Sequence, residues 1–320
     1  KEQIIKKSGL LEYFHPKEFL SNVGGLDNLK DWIHKRGQAY SDDAKNFGLN
    51  IPRGVLLLGI PGCGKSLTAK AIANEWKFPL LRFDLGKVFG GIVGESERNI
   101  RYALDVAKTI SPCVLWIDEI EKGLSGSQSS GRTDGGTSAR VFGTFLTWMQ
   151  EKKEPVFVVA TANDISALPP ELLRKGRFDE IFFVDLPSAK ERENIFDIHL
   201  KNKNRDAKAL NLDMKELVKK TEGFSGAEIE EVVNEALFNA YAENQKDLQM
   251  NNLLECISAT SPLSRTMAET ISNLRKWAKE RARMASNEKP EEVKEMSEDI
   301  PKLQQEYNNP FISKRKDDRK

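Results

Sequence analysis

Gly59-Ile60-Pro61-Gly62-Cys63-Gly64-Lys65-Ser66 matches the pattern GxxxxGK[ST] at every fixed position. The apolar run Val55-Leu56-Leu57-Leu58 precedes it, set off by Pro52 and Gly54, and a helical pattern from Leu67 to Trp76 follows. A short apolar run between breakers reads as a buried strand. Strand, glycine-rich turn and helix in that order make a phosphate cradle. The glycines let backbone amides turn inward, and the helix start adds partial positive charge. Lys65 is placed to reach the β- and γ-phosphates, and the Ser66 hydroxyl to ligate Mg2+. Residues Gly59, Ile60, Pro61, Gly62, Cys63, Gly64, Lys65, Ser66 and Leu67 are the expected phosphate-side contacts of ATP. Cys63 reads in two ways: a small residue that fits the loop, or a thiol activated by electropositive surroundings.

Outward from this loop the strand signal recurs at Leu80-Leu81-Arg82-Phe83, Val114-Leu115-Trp116-Ile117, Val156-Phe157-Val158-Val159 and Ile181-Phe182-Phe183-Val184. Helical patterns separate these runs, which predicts an α/β fold: a parallel five-stranded sheet sandwiched by helices. The third run ends in Asp118-Glu119. That places two acids at the carboxyl end of a strand, where ligands of such sheets bind. Asp118 is expected to orient Mg2+, and Glu119 to polarise an attacking water.

After Pro187 the pattern becomes helical throughout. Ser225 and Glu228 form an S-x-x-E capping box, and Ile229, Val232, Val233, Ala236, Leu237, Ala240 and Tyr241 share one face of the helix it opens. The expected organisation is a linker over 1–20, a large α/β domain over 21–187, a small helical domain over 188–286 and a weakly ordered tail over 287–320. The chain opens on Lys1 rather than Met, so an upstream region is expected. The Ser- and Gly-rich stretch 125–137 reads as a mobile loop.

Composition narrows the function. The net charge is +1 with 30% charged residues, a balance that points away from nucleic acid as the main partner. No apolar run approaches the ~18 residues of a membrane span. Cys63, Cys113, Cys256 and His15, His34, His199 are scattered, with no CxxC or HExxH among them. A disulfide framework and a zinc-protease centre are therefore not expected, and a reducing compartment fits.

Six segments in collinear order resemble the AAA ATPase family: Val23-Gly24-Gly25-Leu26 with the phosphate loop, Gly94-Glu95-Ser96-Glu97, the Asp118-Glu119 strand, Ala160-Thr161-Ala162-Asn163, Leu173-Arg174-Lys175-Gly176-Arg177-Phe178-Asp179 and Gly223-Phe224-Ser225-Gly226-Ala227. The segment 140–150 is similar to AAA ATPases encoded in cyanobacterial and algal plastid genomes. The resemblance implies that Asn163 senses the γ-phosphate, and that Arg174 and Arg177 act as arginine fingers on a neighbouring subunit. It thus implies a homo-oligomer, a hexameric ring. It makes Val23 and Gly24 the adenine linker, Ile195 and His199 the adenine cover, and Gly226 and Ala227 a phosphate contact from a small helical lid domain. The compartment it implies is the cytoplasm or the plastid stroma.

Two positions depart from the family. Ile92 stands where threading members carry an aromatic residue, and Thr147-Trp148-Met149-Gln150 stands where many carry Asp-Gly-Phe. The stretch 125–140 reads as a plain linker or as a second pore-facing loop. A single helix is expected over 263–285, with Arg275, Lys276, Lys279, Arg281 and Arg283 as a solvated basic face or a contact for nucleic acid or acidic partner surfaces. The leading reading is Mg2+-dependent ATP hydrolysis coupled to remodelling of a protein or complex. The alternative is an ATP-binding regulatory module with negligible turnover.

Overall fold

All five apolar runs are strands in the computed structural model, which describes residues 2, 5, 9–89, 95–123, 135–174 and 176–288. Seven strands form one sheet: β1 (Leu11–Phe14), β2 (Gly54–Gly59), β3 (Leu80–Phe83), β4 (Cys113–Ile117), β5 (Val156–Ala162), β6 (Glu180–Val184) and β7 (Arg283–Met284). Their spatial order is β1-β3-β4-β5-β2-β6-β7. All neighbouring pairs are parallel except β1 on β3.

The sheet is two strands wider than expected. Strand β1 is half-exposed and β7 is only two residues long, so neither makes an apolar run. Backbone pairing recruits them, with Leu11 opposite Phe83 and Met284 beside Phe183, and Leu11 and Met284 add their side chains to the core on one face.

Side chains leave a strand on alternate faces, and β2 shows it. Leu56 and Leu58 join one core cluster while Val55 and Leu57 join the other. The first face is covered by helices Glu95–Ile110 and Gly135–Glu151, the second by Asp27–Gly37 and Lys65–Glu75. Every residue of β2 is buried, so the phosphate loop is anchored at the centre of the molecule.

Helices Ala189–Asn202, Met214–Lys220, Gly226–Ala242 and Met250–Ala259 build a separate core around Phe196, Leu200, Ile229, Val233 and Leu253. The expected long helix over 263–285 is interrupted. It divides into Leu263–Thr266 and Ala268–Arg281 at Met267 (φ −120°) and becomes extended at Ala282, so that Arg283 and Met284 pair with β6. Leu274 and Ala278 of its longer piece pack into the core of the sheet. Arg275 is not part of a solvated face. Its Nε and Nη2 donate to the buried Asp185 at 2.9–3.1 Å and tie this helix to the end of β6.

The expected tail beyond residue 288, Ile92 with residues 90–94, and most of the loop at 125–137 lie outside the described residues.

Candidate functional site

The carboxyl ends of β2, β4 and β5 converge on the loop 60–64. Gly62 (φ +75°) and Gly64 (φ +87°) carry the loop through left-handed turns, a conformation that costs glycine little. A Cβ on Gly62 would sit 2.9 Å from Ser225 Oγ and 3.0 Å from Ala227 Cβ. The small helical domain therefore closes directly on the loop, and Ala227 N donates to Gly62 O at 3.0 Å.

Lys65 opens the helix Lys65–Glu75 and is buried. Its Nζ donates to Gly59 O (2.9 Å) and Ile60 O (2.7 Å). Burial lowers its pKa to about 8, opposed by the carboxylates of Glu121, Asp118 and Glu119. An incoming phosphate would supply the anion this cation lacks.

Ser66 Oγ donates to Asp118 Oδ1 at 2.8 Å. The same oxygen accepts Thr161 Oγ1 at 2.6 Å, and Thr161 Oγ1 in turn accepts Glu119 N at 2.9 Å. Glu119 sits at φ +50°, a strained backbone for this residue type. Its carboxylate is held on two sides, by Asn163 Nδ2 at 3.0 Å and by Lys122 Nζ at 2.5 Å. The Glu119 contact raises the pKa of Lys122. Beneath them lies Glu121, buried, with Oε1 accepting Asn163 N at 2.9 Å and Oε2 unpartnered. Burial raises its pKa.

Thr161, Glu121 and Lys122 carry no role in the sequence reading. Thr161 and Glu121 stand within or beside quoted motifs. Their function emerges only when β4 and β5 lie side by side.

Ser66 Oγ and Asp118 Oδ1 are hard oxygen donors beside the phosphate loop. The described residues contain no group of three or more His, Cys, Asp or Glu able to hold a metal alone. Two protein oxygens with the rest left to water and phosphate suit Mg2+, which keeps most of its waters and arrives on the nucleotide.

One cleft of about 390 Å³ collects these groups. Pro61 to Leu67, Asp118, Glu119, Thr161 and Asn163 line its phosphate end. Val23, Gly24, Leu26, Ile195, Ile198 and His199 line the other, and Gly226 and Ala227 close over it. Gly59 and Ile60 do not line the cleft; their carbonyls hold Lys65. His199 is largely buried and its pKa is lowered by that burial, against the pull of Glu230 at 3.9 Å. It is neutral at neutral pH.

Of the two readings of Cys63, the structure favours the small residue that fits the loop. Burial pushes its pKa up to about 12, overriding Lys65, so the thiol stays protonated.

Arg174 and Arg177 do not line this cleft. Arg174 is exposed, whereas Arg177 Nη1 donates to Leu146 O at 3.1 Å and to Gln150 Oε1. Gln150 is one of the residues that replace Asp-Gly-Phe. Trp148, another, is a buried core side chain beside Phe145.

The model of the ATPase family associated with various cellular activities (AAA) matches residues 55–186, and the model of the AAA+ lid domain matches residues 211–255. The chain belongs to the AAA family. It is 51% identical over 278 residues to the AAA domain-containing protein ycf46 of Guillardia theta, across 87% of this chain and 54% of that protein. A ycf46 protein of Pyropia yezoensis is also 51% identical, across 89% of this chain and 58% of its own length. The chain thus spans just over half the length of these AAA relatives. Similarity extends to the ATP-dependent zinc metalloprotease FtsH of Mycoplasma pneumoniae, 37% identical across 74% of this chain and 33% of that protein. No HExxH occurs in this sequence. Among the described residues no helix is long and apolar enough to cross a membrane.

Proposed function

We propose that this AAA chain binds ATP with Mg2+ and hydrolyses it to ADP and phosphate as one subunit of a homo-oligomeric, hexameric ring. The observation that carries this reading is the 3.0 Å contact of Asn163 Nδ2 with Glu119 Oε1, in the cleft that also holds Lys65, Ser66 and Asp118. A carboxylate oriented by an amide can accept a proton from water and aim it at a phosphate held by the loop. Lys65 exchanges its two carbonyl partners for phosphate oxygens. Ser66 and Asp118 would hold the divalent ion, which would supply positive charge against the phosphates.

Val23, Gly24, Ile195 and His199 enclose the base, and neutral His199 adds no charge there. Arg174 and Arg177, which lie off this cleft, serve the neighbouring subunit's phosphates. Ala227 N on Gly62 O links the lid to the phosphate loop, so a change at the phosphates is felt as movement of the lid. That movement would remodel a protein or protein complex. The proposed compartment is the stroma or cytoplasm.

Glu119→Gln keeps the amide contact but loses the base, so ATP should bind and persist. Lys65→Ala should abolish binding. Normal phosphate release by Glu119→Gln would sink the assignment of that residue. Wild-type release per subunit should rise with protein concentration as subunits complete one another's sites.

The alternative, an ATP-binding regulatory module with negligible turnover, is favoured by one observation: Lys122 Nζ stands on Glu119 Oε2 at 2.5 Å. If that pairing persists with ATP bound, the carboxylate is unavailable as a base. Faster turnover in Lys122→Ala than in the wild type would support it.

A further inference from the structure

We propose that Glu191 is a positioning residue for the base of the nucleotide. It ties the 23–26 linker to the lid, and the segment after β7 braces that junction from behind the cleft wall. The inference rests on the nucleotide reading above. A nucleotide with its phosphates on residues 61–67 must lay its base at the opposite end of the cleft. That end is formed by Val23, Gly24, Leu26, Ile195, Ile198 and His199. The shape of this end depends on what holds the linker.

Glu191 lies in the first turn of helix Ala189–Asn202 and is 7% exposed. Three donors from three parts of the chain converge on its carboxylate. Leu26 N donates to Oε1 at 3.1 Å, Ser286 Oγ to the same oxygen at 2.6 Å, and Ser188 N to Oε2 at 2.9 Å. Leu26 belongs to the linker, Ser188 caps the lid helix, and Ser286 follows β7 on the chain returning from the lid. That return is itself anchored. Ala285 N donates to Phe183 O at 2.9 Å, Leu29 N to Ala285 O at 3.1 Å, and Asn28 Nδ2 to Ser286 O at 3.0 Å.

The linker is shaped around this carboxylate. Gly25 (φ +64°) and Leu26 (φ +58°) are both left-handed, and a Cβ on Gly25 would lie 2.0 Å from Glu191 Oε1. On the linker's other side the half-buried Lys30 Nζ donates to Val23 O at 2.5 Å. A strained turn held at Val23 by a cation and at Leu26 by an anion cannot drift without breaking a charge-assisted bond. A Cβ on Gly24 would meet Ile195 Cγ1 at 2.4 Å, so the linker and lid helix also touch directly.

The test separates the two ends of the cleft. Affinities for ADP and for inorganic tripolyphosphate are measured by displacement of a fluorescent ADP analogue from the wild type, Glu191→Gln and Ser286→Ala. Losing bonds to a buried carboxylate should weaken ADP binding about tenfold in Glu191→Gln and about threefold in Ser286→Ala. Tripolyphosphate, which has no base, should bind all three proteins within about twofold, since its contacts are unchanged. Parallel losses of ADP and tripolyphosphate, or unshifted ADP affinity in both variants, would overturn the inference. Should Glu191→Gln fail to fold, Ser286→Ala alone decides by the same ratio. Failure of the wild type to bind ADP overturns the nucleotide reading and this inference together. Wild-type ADP binding with unshifted variants overturns this inference alone.

Discussion

Thr161→Val removes one hydroxyl from the link between the two acids and leaves the side-chain shape unchanged. Thr161 is 1% exposed, donates to Asp118 Oδ1 at 2.6 Å and accepts Glu119 N at 2.9 Å. Loss of a bond to a carboxylate costs ~1.5–3 kcal/mol, and an unpaired buried N–H ~1–3 kcal/mol. Both acids line an open cleft where water can enter, so the low end of each range applies, about 2.5 kcal/mol in all. Urea unfolding should report that loss. If half of it appears as misplacement of the carboxylates in the transition state, turnover falls about tenfold. The assay is phosphate release at saturating ATP, read beside the urea midpoint. A variant within about 0.5 kcal/mol of wild-type stability and with unchanged turnover would refute the reasoning, because surface-like substitutions cost no more than that.

Arg174→Ala and Arg177→Ala should each lose about a thousandfold or more in turnover, the usual worth of an arginine finger. Mixing either with Lys65→Ala should restore part of the activity, because intact cleft and intact finger then meet across an interface; no recovery argues against action in trans. Burial lowers the pKa of Lys152 from 10.5 to about 8. The unfolded chain therefore binds more protons between those values, and this group's penalty on stability is relieved as pH rises through them. Relative to Lys152→Met, the wild type should gain up to about 3 kcal/mol between about pH 7 and about pH 10, measured by urea unfolding. With its thiol held near 12, native Cys63 should resist iodoacetamide at neutral pH, and mass spectrometry should find it labelled quickly only after unfolding.

The sequence alone determined the parts whose physics is local. The loop 59–66 needs its glycines and lysine whatever surrounds it. The five central strands announce themselves because burial on both faces leaves mostly apolar residues. The capping box at Ser225 and Glu228 is likewise a matter of four consecutive residues, and both of its bonds form. Tertiary structure decided what rests on pairing between distant segments. Strands β1 and β7 are too short or too polar to announce themselves, and they form because a sheet edge offers free backbone groups beside a core that takes Leu11 and Met284. Arg275 looked solvated until Asp185, ninety residues away, met it at the end of β6. Thr161 became a link between Asp118 and Glu119 only when β4 and β5 lay side by side, and Glu191 became a junction only when Leu26 and Ser286 reached it from opposite directions. A side chain's partners depend on where the chain returns in space, and a local pattern carries no record of that return.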